Sequence, residues 1–184
     1  MKAIYKPSED SFLMSQILKE KLPGLLEKNP NLKFLELGAG SGIHLETSKK
    51  LGVKNIFSSD INPNAVSHCT MLGFNCVESD LFEKIKGEFD IIIFNPPYLP
   101  EDKREPEDSK VATTGGKKGN EIILRFLKDA KKYLNAGGKI FLITSTLAEG
   151  VDFEELGYEA EEIGCENLFY ERLCVWELTV NKNV

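Results

Sequence analysis

The segment Asn95-Pro96-Pro97-Tyr98 is the part of the sequence best suited to chemistry. Each proline fixes φ and removes a backbone donor, and the residue before each is pushed to extended geometry. The segment is therefore stiff, rich in free carbonyls and poor in competing N–H groups. The Asn95 side-chain carbonyl and the Pro96 backbone carbonyl can both accept from one planar NH2 group, while Tyr98 offers an aromatic face to a flat amide or base. A mere surface turn would need neither the asparagine nor the aromatic. Three carboxylates sit at comparable places: Glu36 near the end of one apolar stretch, Asp60 at the end of a second and Asp80 just after a third. Asp and Asn are common turn residues after strands, but four such positions in succession beside a glycine loop point to a ligand site.

That loop reads Gly38-Ala39-Gly40-Ser41-Gly42, with Ile at 43. A dinucleotide fingerprint would read G-x-G-x-x-G, so the pattern departs from it. The glycines still permit a tight turn and a close backbone approach to a ligand. The spacing to Asp60 suits a carboxylate that holds ribose hydroxyls. With Glu36 added, the pattern suggests an adenosine-bearing cofactor without a pyrophosphate. S-adenosylmethionine fits, because its positive sulfonium suits a pocket rimmed by acids.

These residues need elements to place them. Ser8 is a helix cap with Glu9 and Asp10 in the first turn. Leu13, Met14, Ile17, Leu18 and Leu22 follow at helical spacing until Pro23-Gly24 ends or interrupts the helix. Strands are expected at 32–37, 55–59, 74–78, 89–94 and 139–144. Helices are expected at 41–51, from Asn62-Pro63 onward, and at 120–134. Residues 99–118 read as a long polar loop, and the tail over 158–180 as two strands turning near Glu166-Asn167. The alternation implies an α/β fold, a mostly parallel sheet with helices on both faces. Right-handed crossovers then put every parallel strand's C-terminal end on one rim. The last two strands, with no helix between them, should pair antiparallel at the end of the sheet.

The length of 184 residues favours one domain, with a helical segment over 1–30 and a core over 31–184. Hydrophobic residues make up 41% and charged residues 28%, an ordinary globular balance. The longest apolar runs, 91–94 and 140–143, fall far short of a membrane span. No secretory h-region follows Met1, and a cytoplasmic location is expected. The net charge of -6 argues against a partner made of duplex nucleic acid. Cys69, Cys76, Cys165 and Cys174 form no C-x-x-C pair, so reduced thiols and no metal are expected. Lys far exceeds Arg (20 to 3) and Gln occurs once, a weak thermophile signature.

The set Glu36-x-Gly38-x-Gly40-x-Gly42, Asp60, Ser79-Asp80-Leu81 and Asn95-Pro96-Pro97-Tyr98 resembles class I S-adenosylmethionine-dependent methyltransferases, in that family's order and over nearly the whole chain. Tyr5-x-Pro7-x-Glu9-Asp10-Ser11, Gly115-Gly116-x-x-Gly119 and the stretch 171–178 look like the archaeal and eukaryotic branch of the HemK-like release-factor glutamine methyltransferases. The resemblance implies a Rossmann-like, seven-stranded sheet whose last strand is antiparallel. It implies that Glu36 and the backbone of Gly38, Gly40 and Gly42 surround the methionine part and ribose. Asp60 would hold the ribose hydroxyls, Asp80 would accept from the adenine amino group beside Leu81, and Ser11 would touch the cofactor from the first helix. Asn95 and the Pro96 carbonyl would hold the substrate amide nitrogen, with Pro97 stiffening the segment and Tyr98 packed beside it; Asn95 borders the cofactor as well. The implied substrate is the glutamine of the Gly-Gly-Gln loop of a class I release factor, and the implied by-product is S-adenosylhomocysteine. A small zinc-binding activator subunit that adds a strand to the sheet edge is also implied. The third strand, with Phe74 and Val77 needing cover, is the expected edge.

Exocyclic amines of adenine or guanine in DNA or RNA present the same flat NH2 group, so Asn95 to Tyr98 do not separate them from a glutamine amide. Charge does: residues 101–119 carry five acids and five bases, and a groove tracking phosphate should not be neutral. The length of that loop suggests a mobile lid or a substrate-docking loop. A cofactor-binding scaffold without catalysis is a third reading, disfavoured by the intact Asn95 to Tyr98 segment. His44 and His68 fall in expected helices and read as structural, and methyl transfer to an amide requires no strong base. Bacterial members carry a separate N-terminal helical domain, for which residues 1–30 leave no room. Recognition then falls to the 99–118 loop, the first helix or a partner, and the charge of -6 suggests a basic protein domain as the docked species.

Overall fold

A computed structural model describes residues 3–102, 110 and 112–181. Residues 103–109 and 111 of the expected 99–118 loop lie outside the described residues. The ends of that loop form a small parallel pair, β5 (Leu99–Pro100) with β6 (Thr114–Gly116). The main sheet holds β1 (Lys33–Leu37), β2 (Asn55–Asp60), β3 (Asn75–Glu78), β4 (Phe89–Phe94), β7 (Leu134–Ser145), β8 (Tyr158–Asn167) and β9 (Arg172–Val180). Its order is β3-β2-β1-β4-β7-β9-β8. The first five of these pair in parallel, and β9 runs antiparallel between β7 and β8. The expected α/β sheet and its antiparallel end are therefore both present.

Strand β4 shows why the sheet is covered on both faces. Ile92 and Phe94 point into one core with Phe126 and Leu127 of α4 (Glu121–Ala130). Ile91 and Ile93 point into another with Met14 and Leu18 of α1 (Glu9–Lys28). A strand buried on both sides reads as a continuous apolar run. Helix α2 (Ile43–Lys50) follows the glycine loop, and α3 (Pro63–Met71) starts at Asn62, whose side chain accepts from the Asn64 N–H at 3.0 Å.

Two expectations need correction. Helix α1 runs on through Pro23. Leu22 is fully buried and Leu25 and Leu26 pack against the same core, so both halves of the helix are held on one surface despite the backbone donor that proline lacks. Cys165 and Cys174 are joined in a disulfide, contrary to the expected reduced thiols, because the β8–β9 register sets them directly opposite each other. Cys69 and Cys76 remain free.

Strand β3 is an edge, as expected. Phe74 is buried against Leu45 and Cys69, so of the two residues expected to need cover only Val77 does.

Candidate active site

A cavity of about 370 Å³ opens at the C-terminal ends of β1, β2 and β4, a size usual for small-ligand sites. Ser11, Glu36, Gly38, Gly40, Asp60, Asp80, Leu81, Asn95, Pro96, Pro97 and Tyr98 all border it. Of the residues expected to hold cofactor or substrate, Gly42 alone stays off the wall: it precedes α2, backed by Leu72 and Cys69.

Asp60 organises the glycine loop. Its Oδ2 accepts from the Gly40 N–H at 2.9 Å and its Oδ1 from the Asn62 N–H at 2.7 Å. Burial pushes its carboxyl above the ordinary range, and the backbone donors pull part of that back. His68 supports the same loop from α3, with Nε2 3.2 Å from the Ser41 carbonyl.

Glu36 and His44 form a buried pair, with Oε1 and Nδ1 2.7 Å apart. His44 Nε2 lies 3.1 Å from the Ser11 carbonyl. Both ring nitrogens therefore face acceptors, which favours the doubly protonated, charged ring. Burial opposes that charge, but the Glu36 carboxylate and the Ser11 carbonyl outweigh it and hold the ring's proton above the ordinary imidazole value. Glu36 Oε2 is buried without a partner.

Asp10 is the centre of the second half of the site. It is 4% exposed, and its Oδ2 accepts from Asn95 Nδ2 at 3.0 Å and from the Tyr5 hydroxyl at 3.0 Å. The Tyr98 hydroxyl stands at 3.5 Å from the same oxygen. Its Oδ1 takes the Ser11 N–H at 2.6 Å and the Ser11 hydroxyl at 3.1 Å. A carboxylate only accepts, so it must meet the NH2 end of the Asn95 amide. The Asn95 Oδ1 is thereby turned the other way, and it is buried with no partner. Burial first, then the charges of Asp10 and Glu171, drive the Tyr98 phenol well above its ordinary value, so it remains a donor.

The Gly115-Gly116-x-x-Gly119 motif backs this segment. A Cβ on Gly115 would meet the Gly119 and Pro97 carbonyl oxygens, the latter at 2.6 Å, and one on Gly119 would strike the Tyr98 carbonyl. Only bare backbone fits behind Pro97 and Tyr98.

At the Asp80 end of the cavity, Arg125 of α4 reaches Asp80, Nη2 to Oδ2 2.9 Å. Leu81 is the one non-glycine with positive φ (47°) among the described residues, a strained conformation of the kind found at ligand sites. Leu81 and Ile61 give the cavity apolar walls.

Residues 13–153 match the family model described as Methyltransferase small domain. A protein of Methanocaldococcus jannaschii with the provisional name protein N5-glutamine methyltransferase MJ0928 is 36% identical over 190 residues, covering 95% of this chain and 92% of that one. The chain belongs to the methyltransferase small domain family. Within it, the chain falls in the archaeal and eukaryotic HemK-like branch and is an S-adenosylmethionine-dependent enzyme. Mouse methyltransferase HEMK2 is 31% identical over 77% of this chain and 71% of its own length. The solved Mtq2–Trm112 complex of E. cuniculi, responsible for methylation of the eRF1 translation termination factor, superposes with a TM-score of 0.71 at 26% identity, covering 98% of this chain and all of the matched chain.

Asp10, Tyr5, His44 and Arg125 are site residues that sequence reasoning missed. Asp10 and Tyr5 had a signal, since both fall in the Tyr5 to Ser11 motif. His44 and Arg125 had only ordinary helix positions.

Proposed function

We propose that this methyltransferase transfers a methyl group from S-adenosylmethionine to the side-chain amide nitrogen of a protein glutamine, that of the Gly-Gly-Gln loop of a class I release factor. The observation that carries this is the Asn95 Oδ1, left buried without a partner while Asp10 holds the NH2 end of the same amide. The residues present fit the cofactor: the cavity is bordered by the carboxylates of Glu36, with its unpartnered Oε2, and of Asp60. Both suit a cation.

In this reading Glu36 and the Gly38 and Gly40 backbone hold the methionine part and ribose, with Asp60 on the ribose hydroxyls. Asp80, steadied by Arg125, accepts from the adenine amino group between Leu81 and Ile61. Ser11 closes the site from α1. When bound, the cofactor supplies an electrophilic methyl carbon on a good leaving group. An amide nitrogen is a weak nucleophile because its lone pair is delocalised, so orientation is the main task of the chain. Asn95 Oδ1 and the Pro96 carbonyl accept the two amide N–H groups, aim the nitrogen and favour the positive charge that develops on it. Pro97 keeps the segment rigid, and Tyr98 flanks the amide. The amide proton leaves to solvent after transfer.

The provisional name of the M. jannaschii relative and the eRF1 role of the E. cuniculi complex support this substrate. That complex also supports a small activator subunit, zinc-binding by family resemblance, for this chain. We place it at the β3 edge, where Met71, Leu72 and Val77 are exposed and strand groups stand open to pairing. No described helix is long and apolar enough to cross a membrane, and a cytoplasmic location is part of the proposal.

The test offers methyl-labelled cofactor to a release factor, to its Gln-substituted variant, and to DNA and RNA. Label on the release factor that disappears with the glutamine is expected. Label on nucleic acid alone overturns the reading.

A further inference from the structure

The β8–β9 hairpin ends in Phe169 and Tyr170, which are 90% and 85% exposed. Their rings meet edge to face with centroids 4.7 Å apart. Single exposed apolar residues are ordinary on a protein surface, but two adjacent aromatics held in the open are not. Their base is firm. The Leu168 N–H donates to the Glu171 carbonyl at 2.8 Å, the Arg172 N–H to the Thr146 hydroxyl at 3.0 Å, and the Ser145 hydroxyl to the Glu171 carboxylate. The Cys165–Cys174 disulfide closes the hairpin just behind the tip.

The tip is also in a telling place. Leu173 pairs with Ser145 at the end of β7, so residues 168–171 lie on the rim that carries the cavity. Leu168 packs on the same core as Tyr98, and the charge of Glu171 is felt at the Tyr98 phenol. In the sheet order, Glu36, Asp60 and Asp80 fall on one side of Asn95, and the hairpin falls on the other. A large molecule that reaches Asn95 from the side away from Glu36 and Asp60 approaches across the part of the rim that carries this tip.

We infer that Phe169 and Tyr170 are a docking pad for the protein that carries the target glutamine, inserting into an apolar recess ringed by basic residues. The inference rests on the glutamine reading above. The charge beside the tip selects the partner. Glu166 and Glu171 flank it, and Arg172, the one base of residues 159–180, has both terminal guanidinium nitrogens bonded to Glu162. Glu177, farther along β9, is paired with Lys21 and Lys139. Exposed aromatics can also stack on nucleobases, but a phosphate backbone would meet repulsion here and a basic protein surface would meet attraction. The activator proposed at β3 sits at the opposite edge and leaves the tip open.

The test is the double variant Phe169→Ser/Tyr170→Ser of the full chain with its activator. Both side chains are exposed, so the fold should be unaffected. Steady-state methylation of an intact release factor should show KM raised about tenfold or more, with kcat and the cofactor Kd within about twofold of wild type. An unchanged kcat/KM overturns the docking pad. So does a loss carried by kcat or by cofactor affinity. A wild-type enzyme that leaves the release factor unlabelled overturns the glutamine reading instead, and this inference with it.

Discussion

Asp10 Oδ2 accepts from Asn95 Nδ2 at 3.0 Å, across 85 positions of sequence. The contact decides which way round the Asn95 amide sits. An acceptor-only partner fixes the NH2 end toward α1 and leaves Oδ1 free to hold a substrate N–H.

Asp10→Asn should therefore slow the reaction while leaving the cofactor in place. The new side chain presents an NH2 group of its own, so the Asn95 amide loses its enforced orientation. A charge-assisted hydrogen bond is also lost, worth about 1.5–3 kcal/mol. Single-turnover methyl transfer should fall by roughly tenfold to a hundredfold, with cofactor affinity close to wild type by calorimetry. A wild-type rate would show that Asp10 does not orient Asn95.

Asp60→Ala removes the acceptor for both the Gly40 and Asn62 N–H groups as well as the proposed ribose contact. Cofactor Kd should rise by about tenfold or more, and titration calorimetry reads it directly. Normal affinity would count against the ribose role.

His44→Leu leaves Glu36 buried without its partner, and removing one member of a buried pair costs about 3–5 kcal/mol. Urea unfolding should show that loss at pH 6. The pH dependence has a definite sign. The folded state holds the His44 proton above the ordinary imidazole value of about 6.5. Its contribution is then full below that value and is lost as pH rises through the raised folded value. Wild type should thus lose stability over that window. In His44→Leu the loss should begin lower, above the ordinary carboxylate value, because burial pushes the Glu36 carboxyl up and the imidazole that opposes this is gone. Coincident profiles would contradict the assignment.

Gly115→Ala should act at a distance from the cofactor. Its methyl group would stand 2.6 Å from the Pro97 carbonyl oxygen, so the stiff segment must shift. Methyl transfer should fall while cofactor Kd holds. A fully active variant would show that the backing is not needed.

The legible features were those with short-range signals. Four strand ends with polar groups follow apolar runs, and the two prolines of the Asn95 segment announce their own stiffness. Asp10 was harder to read, because an acid in a helix's first turn already has an explanation in the helix dipole. Its role exists only once α1 is packed beside β4. The Cys165–Cys174 pairing depends on a register that includes a shift between Glu162 and Gly164, which no spacing rule reveals. Pro23 was read as a break because local propensity favours one, whereas burial of Leu22 prevailed. Gly115 and Gly119 make sense only against carbonyls in a distant segment.

The most direct test is the single-turnover rate of Asn95→Ala on an intact release factor at saturating cofactor. If Asn95 Oδ1 holds the glutamine amide, the rate falls by about a hundredfold or more and cofactor Kd stays near wild type. A wild-type rate would contradict the account.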